Sequence, residues 1–125
     1  NHEARLQIVV ANYLRAVLTG GAFFHSTPNE GKPDAATRLH NQMGRLPGVA
    51  DLVVNWPTGR TGYIELKVKE NPLYAIKATT YQSAAQKAFQ ALCEASGHPY
   101  AVCRTLDDVK AVLADWGVPT RERAE

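Results

Sequence analysis

The sequence predicts an α/β domain in which one mixed central sheet of about four strands is flanked by helices. The chain has 125 residues, which is the usual length of one domain. Apolar residues make up 45% and charged residues 21%, the balance of a globular protein with a buried core. The patterns alternate in the order helix, strand, short helix, strand, strand, helix, strand, helix. This order favours one mixed sheet covered by helices.

The N-terminal third predicts a helix, a strand, a loop and a short helix. Residues 3–18 carry apolar side chains at helical spacing, and a pair of glycines ends the pattern. Residues 22–25 predict a short strand, and residues 27–33 are rich in the turn-forming residues Pro, Asn and Gly. A short helix is expected over residues 34–43, with Asp34 as its N-cap.

Two strands of a hairpin are predicted at the centre of the chain. Residues 49–56 and 62–68 are rich in β-branched and apolar side chains, and a turn rich in Pro and Gly separates them. Side chains alternate between the two faces of a strand. The second strand therefore directs Ile64, Leu66 and Val68 to one face and Tyr63, Glu65 and Lys67 to the other.

The C-terminal third predicts helix, strand and helix. A helix over residues 84–95 is expected to bury a stripe formed by Ala85, Phe89 and Leu92, and residues 100–104 predict the last strand.

The last helix begins at Thr105, which with Asp108 has the spacing of a capping box. We expect one domain over residues 1–118 and a charged, frayed tail over residues 119–125. Residues 70–83 carry no clear pattern.

Composition excludes several classes of protein. No apolar run approaches the roughly 18 residues of a membrane-spanning helix, and the N-terminus lacks the pattern of a secretory signal. Cys93 and Cys103 fit no zinc motif, so we expect them to be reduced and buried in a cytoplasmic protein. The net charge of +2 is weakly basic and does not by itself indicate nucleic-acid binding.

An acid at the start of the first hairpin strand and an acid and a lysine on the second form the most informative pattern. Hairpin pairing can bring Asp51 close to Glu65, and strand periodicity places Glu65 and Lys67 on one face. Two adjacent carboxylates repel each other unless a cation lies between them, and oxygen ligands of this kind suit Mg²⁺ or Mn²⁺. A lysine beside the metal can orient water or stabilise charge on a phosphate. These groups are typical of metal-assisted phosphodiester hydrolysis.

The pattern resembles the motif of the PD-(D/E)xK nuclease superfamily, and within it the virus-type replication-repair nuclease (VRR-NUC) family. That family usually has Pro before the first acid, where this chain has Ala50. The resemblance covers about residues 3–116. Its motifs are Glu3 and Gln7 in the first helix, the loop at 28–31, the glycine-led acid at 48–52, the Glu-Leu-Lys element at 64–67 and the helix start at 83–86.

The resemblance implies a restriction-endonuclease-like core and a metal-dependent DNA endonuclease. It implies a homodimer acting on branched DNA such as a Holliday junction, in DNA repair or in a phage-infected or bacterial cell. It also implies that Asp51, Glu65 and the main-chain carbonyl of Leu66 bind Mg²⁺ or Mn²⁺, that Lys67 handles the attacking water or the charge of the transition state, that Glu3 is an outer or second-metal ligand, and that Gln86 orients Lys67 or the phosphate.

Several other residues have a functional and a structural interpretation. Glu3 also fits a plain first-turn acid favoured by the helix dipole, and Gln82 is the alternative to Gln86. His25 and His40 lack ligand spacing, although His25 lies near the first loop. Trp56 and Tyr63 are predicted to pack in the core or a dimer interface. The candidate phosphate contacts, which could equally be solvated surface residues, are Lys32, Arg38, Arg45, Arg60, Lys69 and Lys77.

Three other functions compete with a structure-specific nuclease. The domain could be a catalytically weak nucleic-acid-binding module that keeps the fold. It could be a sequence-specific restriction-type nuclease, although 125 residues leave little room for recognition segments. It could also be a structural protein in which the Glu-x-Lys pattern occurs by chance.

Overall fold

The computed structural model describes residues 2–27, 34–68, 73 and 82–123. Within these residues the predicted order of elements and the α/β class are confirmed. None of the described helices is long and apolar enough to cross a membrane. The elements are α1 (His2–Val17), β1 (Phe23–Ser26), α2 (Ala35–Gln42), β2 (Leu52–Trp56), β3 (Arg60–Leu66), α3 (Ala84–Ser96), β4 (Tyr100–Cys103) and α4 (Leu106–Trp116).

The four described strands form one mixed sheet in the order β1-β2-β3-β4. The β1–β2 and β2–β3 pairs are antiparallel, and β4 runs parallel to β3. The predicted hairpin is confirmed, with Leu52 opposite Ile64 and Trp56 opposite Arg60. β2 begins later than predicted, and β3 both begins and ends two residues earlier. The earlier start of β3 leaves a turn over residues 57–59, which is shorter than the sequence suggests.

The two faces of the sheet belong to two apolar clusters. Ile64 and Leu66 lie in the main core with side chains of α1 and α4. Tyr63 faces the other way, where it packs beside a smaller cluster that includes Phe89 and Cys93 of α3. The predicted alternation along β3 is therefore confirmed, and it determines that Glu65 faces the α3 side.

The two tryptophans stack across the α4 side of the sheet. The ring centroids of Trp56 and Trp116 are 5.9 Å apart, and Gly62 makes room for them, since a Cβ there would lie 2.4 Å from the Trp116 ring. On the α3 side, the ring of Tyr63 meets Phe89 edge-on at 5.0 Å. Both Trp56 and Tyr63 pack within the domain, as predicted.

The caps of α2 and α4 follow the sequence. Asp34 accepts a hydrogen bond from the Thr37 N–H, and Thr105 and Asp108 form the predicted capping box. Both cysteines are free and buried. Burial raises the pKa of the Cys103 thiol to about 12, which keeps it unreactive at physiological pH.

Two expectations are wrong. Leu92 is 52% exposed, and Cys93 takes its place beneath the sheet because the buried stripe of α3 advances by four residues from Phe89. Part of the predicted tail is packed: Thr120 is 4% exposed and pairs with Leu18. Residues 28–33 and 70–81, apart from Leu73, lie outside the described residues, so the structure does not test what was predicted for them.

Candidate active site

The β2–β3 hairpin brings the two predicted metal-binding carboxylates together. Asp51 immediately precedes β2, and the strand register places it opposite Glu65. The Asp51 Oδ2 accepts a hydrogen bond of 2.7 Å from the Leu66 N–H. On its other side, the Asp51 carbonyl accepts one of 3.1 Å from the Thr27 N–H. Asp51 is therefore held by backbone groups on both sides.

Glu65 and Lys67 are charged residues in a buried setting. They are 2% and 6% exposed, and the Lys67 Nζ lies 3.8 Å from the Glu65 Oε2. The Lys67 N–H donates to the Cys103 carbonyl at 3.0 Å, which continues the β3–β4 pairing past the end of β3. A charge this deeply buried is costly unless it is compensated, so this ion pair needs further partners.

Gln86 supplies those partners from the first turn of α3. Its Oε1 accepts a hydrogen bond from the Lys67 Nζ at 3.0 Å, and its Nε2 donates to the Glu65 Oε2 at 3.1 Å. The structure thus brings together Asp51, Glu65, Lys67 and Gln86, which the sequence places on three separate segments. Gln82 instead donates to the Tyr100 hydroxyl and to Gln90, away from Lys67.

Three residues next to these four were not predicted as site residues, although two of them lie in the motif segments 48–52 and 83–86. Ser83 caps α3 in a capping box with Gln86, and its spacing to Gln86 is a sequence signal that was available. Gly48 abuts the same turn, since a Cβ there would lie 2.3 Å from the Ala85 backbone. Tyr100 lies close enough for the Glu65 charge to contribute to raising its pKa to about 12, although burial is the larger cause. The contacts of Gly48 and Tyr100 depend on packing across the sheet, which no local pattern reveals.

Both carboxyl groups resist ionisation. Burial, and then the charge of Asp51, raises the pKa of Glu65 to about 8. Burial also raises the pKa of Asp51, although the hydrogen bond from the Leu66 N–H and the charge of Lys67 oppose that shift. Two adjacent carboxylates compete for one positive charge, which a proton or a cation can supply.

The pair fits a divalent cation. The Glu65 Oε1 is buried, and no donor of the described residues hydrogen-bonds to it. An acceptor oxygen beside a second carboxylate, without a donor, is the chemistry that Mg²⁺ and Mn²⁺ select. No group of three or more His, Cys, Asp or Glu side chains within the described residues could hold a metal ion. Within the described residues, Asp51 and Glu65 are therefore the two acidic side chains that lie together at this point.

Glu3 approaches the site from the opposite face of the sheet. Its charge contributes to the raised pKa of Glu65, which places it within electrostatic reach. Glu3 and Gln7 line a cleft of about 750 Å³ between α1 and β1. None of Asp51, Glu65 and Lys67 lines that cleft, and the charge of Glu3 is what relates the cleft to Glu65.

The predicted phosphate contacts are scattered. Arg38 is exposed on α2, and Arg45 is half-buried in the loop after that helix. Arg60 is exposed at the far end of β3, about 16 Å along the strand from Glu65. His25 is exposed on β1, and His40 is exposed on α2. Lys32, Lys69 and Lys77 lie outside the described residues.

Two solved structures share this architecture. One is described as a "VRR_NUC domain protein"; it aligns with a TM-score of 0.70 and 22% identity, over 93% of this chain and 88% of that chain. The second, described as "VRR_NUC domain", aligns with a TM-score of 0.59 and 19% identity, over 93% of this chain and 98% of that chain. No protein-family model and no curated protein sequence matches the chain. The structural likeness confirms the predicted restriction-endonuclease-like fold.

Proposed function

We propose that this chain is a nuclease of the VRR-NUC family that hydrolyses DNA phosphodiester bonds with Mg²⁺ or Mn²⁺. The shared fold supports the family, and the arrangement of Asp51, Glu65, Lys67 and Gln86 supports the chemistry. The metal, the DNA substrate and the reaction all belong to the proposal.

The observation that carries the proposal is the buried Oε1 of Glu65, which has no donor among the described residues except a proton shared with the carboxyl group of Asp51. A structural ion pair would satisfy both oxygens of a carboxylate that is 2% exposed. An acceptor oxygen left without a donor, next to a second carboxylate, suits a binding site for a cation.

The residues divide the work of in-line attack by water. Asp51 and Glu65 would hold the cation, assisted by the Leu66 carbonyl, and a bound cation would supply Lewis-acid stabilisation of charge on the phosphate. Lys67 orients the attacking water or stabilises the charge that develops on the phosphate oxygens. Gln86 keeps the Lys67 ammonium and the Glu65 carboxylate in place through its two hydrogen bonds. Glu3 adds negative charge from α1 and is a second or outer ligand.

A branched substrate and a homodimer are the finer parts of the proposal. Two sites related by a two-fold axis would match a two-fold substrate such as a four-way junction. Lys32, Arg38, Arg45, Arg60, Lys69 and Lys77 remain the proposed phosphate contacts.

Cleavage of labelled four-way junction, flap, single-stranded and linear duplex DNA tests the proposal. The reactions contain Mn²⁺, Mg²⁺ or EDTA, and compare the wild type with Asp51→Asn and Lys67→Ala. We expect metal-dependent cutting that falls by at least about 100-fold in both variants, because each removes a group that stabilises the transition state. The matched controls are Asp115→Asn and Lys87→Ala, which change exposed residues of α4 and α3 and are expected to cut like the wild type.

The outcomes separate the competing functions. Preference for the junction supports a structure-specific nuclease, whereas discrete bands from plasmid DNA would favour a restriction-type enzyme. DNA binding without cutting of any substrate would contradict the proposal and favour a binding module. Full activity of Lys67→Ala would place the active site elsewhere.

A further inference from the structure

We propose that Ser83 is a positioning residue that fixes the orientation of the Gln86 side-chain amide between Lys67 and Glu65. The kinetic consequence of this inference rests on the proposed nuclease function, but its structural content does not. Ser83 lies at the N-cap of α3, and the hydrogen bonds of its N–H and hydroxyl groups within the described part of the chain go to Gln86 rather than to Lys67 or Glu65. It would act through Gln86.

Three donors and acceptors meet at one amide group. The Gln86 Oε1 accepts from the Ser83 N–H at 2.9 Å and from the Lys67 Nζ at 3.0 Å, while the Gln86 Nε2 donates to the Glu65 Oε2 at 3.1 Å. A flipped amide would turn its NH₂ group toward two donors and its oxygen toward a carboxylate. The Ser83 N–H is fixed by the backbone, so it selects the orientation that serves both catalytic charges.

The same chain contains a second capping box, which makes no hydrogen bond to Lys67 or Glu65 among the described residues. In α4, the Asp108 Oδ2 accepts from the Thr105 N–H at 3.1 Å, and the Asp108 N–H donates to the Thr105 hydroxyl at 3.1 Å. In α3, the reciprocal bond runs from the Gln86 N–H to the Ser83 Oγ at 3.1 Å. The two boxes share their geometry, but only the one in α3 also bonds to Lys67 and Glu65. Thr105 therefore provides a matched control.

The identity of the capping partner supports the inference. Glu or Gln at this position completes a capping box equally well. A Glu at position 86 would place another carboxylate against Glu65, which is already buried opposite Asp51. Only an amide can accept from Lys67 and donate to Glu65 while it caps the helix.

The backbone of Ser83 permits a direct test. Its φ of −67° and ψ of 166° lie in the region that proline adopts. Ser83→Pro removes both the N–H that bonds to Gln86 Oε1 and the hydroxyl group, whereas Ser83→Ala removes only the hydroxyl group. Ser83→Thr retains both groups.

The experiment measures the Gln86 side-chain amide resonances by ¹H–¹⁵N NMR and, in parallel, kcat and KM for DNA cleavage. For Ser83→Pro we expect the resonances to move toward those of a solvated amide and kcat to fall about tenfold with little change in KM, which is the effect of losing one hydrogen bond. Ser83→Ala shifts both readouts partway, and Ser83→Thr restores both. Thr105→Ala should lose about as much thermal stability as Ser83→Ala, because each removes one N-cap hydroxyl group, but it should keep the wild-type Gln86 resonances and kcat.

Each other result has a defined meaning. Wild-type amide resonances in Ser83→Pro would overturn the proposal, as would equal loss of kcat in Thr105→Ala. If Ser83→Pro does not fold, the Ser83 backbone N–H of the wild type decides: its hydrogen bond to the Gln86 Oε1 should slow its exchange with solvent, and rapid exchange would overturn the proposal. If the wild type cuts no DNA, the proposed function fails, while the amide resonances still decide the role of Ser83.

Discussion

Glu65 is the residue at which stability and the proposed activity oppose each other. Its carboxyl group is 2% exposed, it lies beside Asp51, and one of its oxygens has no donor among the described residues. Without a cation this arrangement favours the protonated form, because an ionised carboxylate there is poorly compensated. The site is therefore expected to cost the metal-free protein stability.

Replacing Glu65 with Gln is predicted to stabilise the metal-free protein at pH 8 by roughly 1–2 kcal/mol, since one of two competing negative charges is removed. The pKa of Glu65 rises from an ordinary 4.5 to about 8 on folding, so the folded state holds the extra proton between these pH values. The free energy of unfolding of the wild type should therefore fall as the pH rises through this window. Thermal unfolding in EDTA from pH 5 to pH 9 measures both effects.

Glu94→Gln is the control, because Glu94 is exposed on α3 and should leave that slope unchanged. Added Mn²⁺ should raise the melting temperature of the wild type and not that of Glu65→Gln. A Glu65→Gln protein that melts below the wild type in EDTA at pH 8 would contradict the prediction.

At the residue scale, the sequence indicated the charged residues of the candidate site more readily than the residues that hold them in place. Asp51, Glu65 and Lys67 could be placed together because a hairpin and the two-residue period of a strand fix their positions locally. Gly48 could not be connected to Gln86, because they are distant in sequence and meet only when α3 packs on the sheet. Ser83 had a capping signal, but its link to Lys67 required the three-dimensional arrangement.

At the element scale, the position of α3 depends on a missing side chain. Gly48 has a φ of +81°, and a Cβ there would lie 2.3 Å from the Ala85 carbonyl and 2.7 Å from the Gln86 nitrogen. The first turn of α3 therefore rests directly on the backbone that leads into Asp51. This close approach holds Gln86 against the two charged residues.

Gly48→Ala is predicted to lower the free energy of unfolding by about 2–4 kcal/mol, through backbone strain and displacement of α3. Gly97 provides a control with nearly the same φ, +79°, because a Cβ there would lie more than 4 Å from every atom of the described residues beyond its chain neighbours. Gly97→Ala should cost only the backbone strain, about 1 kcal/mol. Chemical denaturation of both variants measures the difference, and equal losses would show that α3 does not press on Gly48.

The stripe of α3 shows why element type is easier to predict than element rotation. Leu92 and Cys93 follow Phe89 by three and four residues, and both spacings are compatible with one face of a helix. Hydrophobicity alone favoured Leu92. The position of α3 against Tyr63 and Tyr100 decides the matter, and it buries the smaller Cys93.

At the scale of the whole molecule, the C-terminal segment contacts the C-terminal half of α1 and the residue that follows it. Thr120 pairs with Leu18 after α1, and the Tyr13 hydroxyl donates to the Glu122 carboxylate at 2.5 Å. The segment that was expected to fray therefore packs against α1, and it does so directly after α4. Its charged composition suggested a tail. The contacts could not be predicted from the sequence, because their partners lie more than 100 residues apart.

Deletion of residues 120–125 is predicted to destabilise the domain by about 1–3 kcal/mol, because a buried residue and long-range hydrogen bonds are lost. Tyr13→Phe keeps the ring beneath Lys110 and removes only the hydroxyl group, so it should cost about 1 kcal/mol or less. Thermal melts of both proteins test this. A deletion variant with wild-type stability would contradict the prediction and show that residues 120–122 behave as the frayed tail that the sequence suggested.

The order of strands was largely predictable from local pairing, since β2 and β3 form a hairpin and a helix separates β3 from the parallel β4. The outer position of β1 was not, because its pairing with β2 spans a long connection that includes α2.

The hairpin also has a consequence for the way the chain folds. Asp51 and Glu65 are only 14 positions apart, whereas Gln86 and the α3 turn join them from farther along the sequence. Local contacts close sooner than distant ones, so the two acids should meet before the groups that shield them arrive. The repulsion between the two carboxylates would then destabilise the early folding nucleus. Mild acid or a divalent ion should therefore speed refolding, because either one neutralises part of that charge. The metal would thus serve as a folding aid before it serves a reaction.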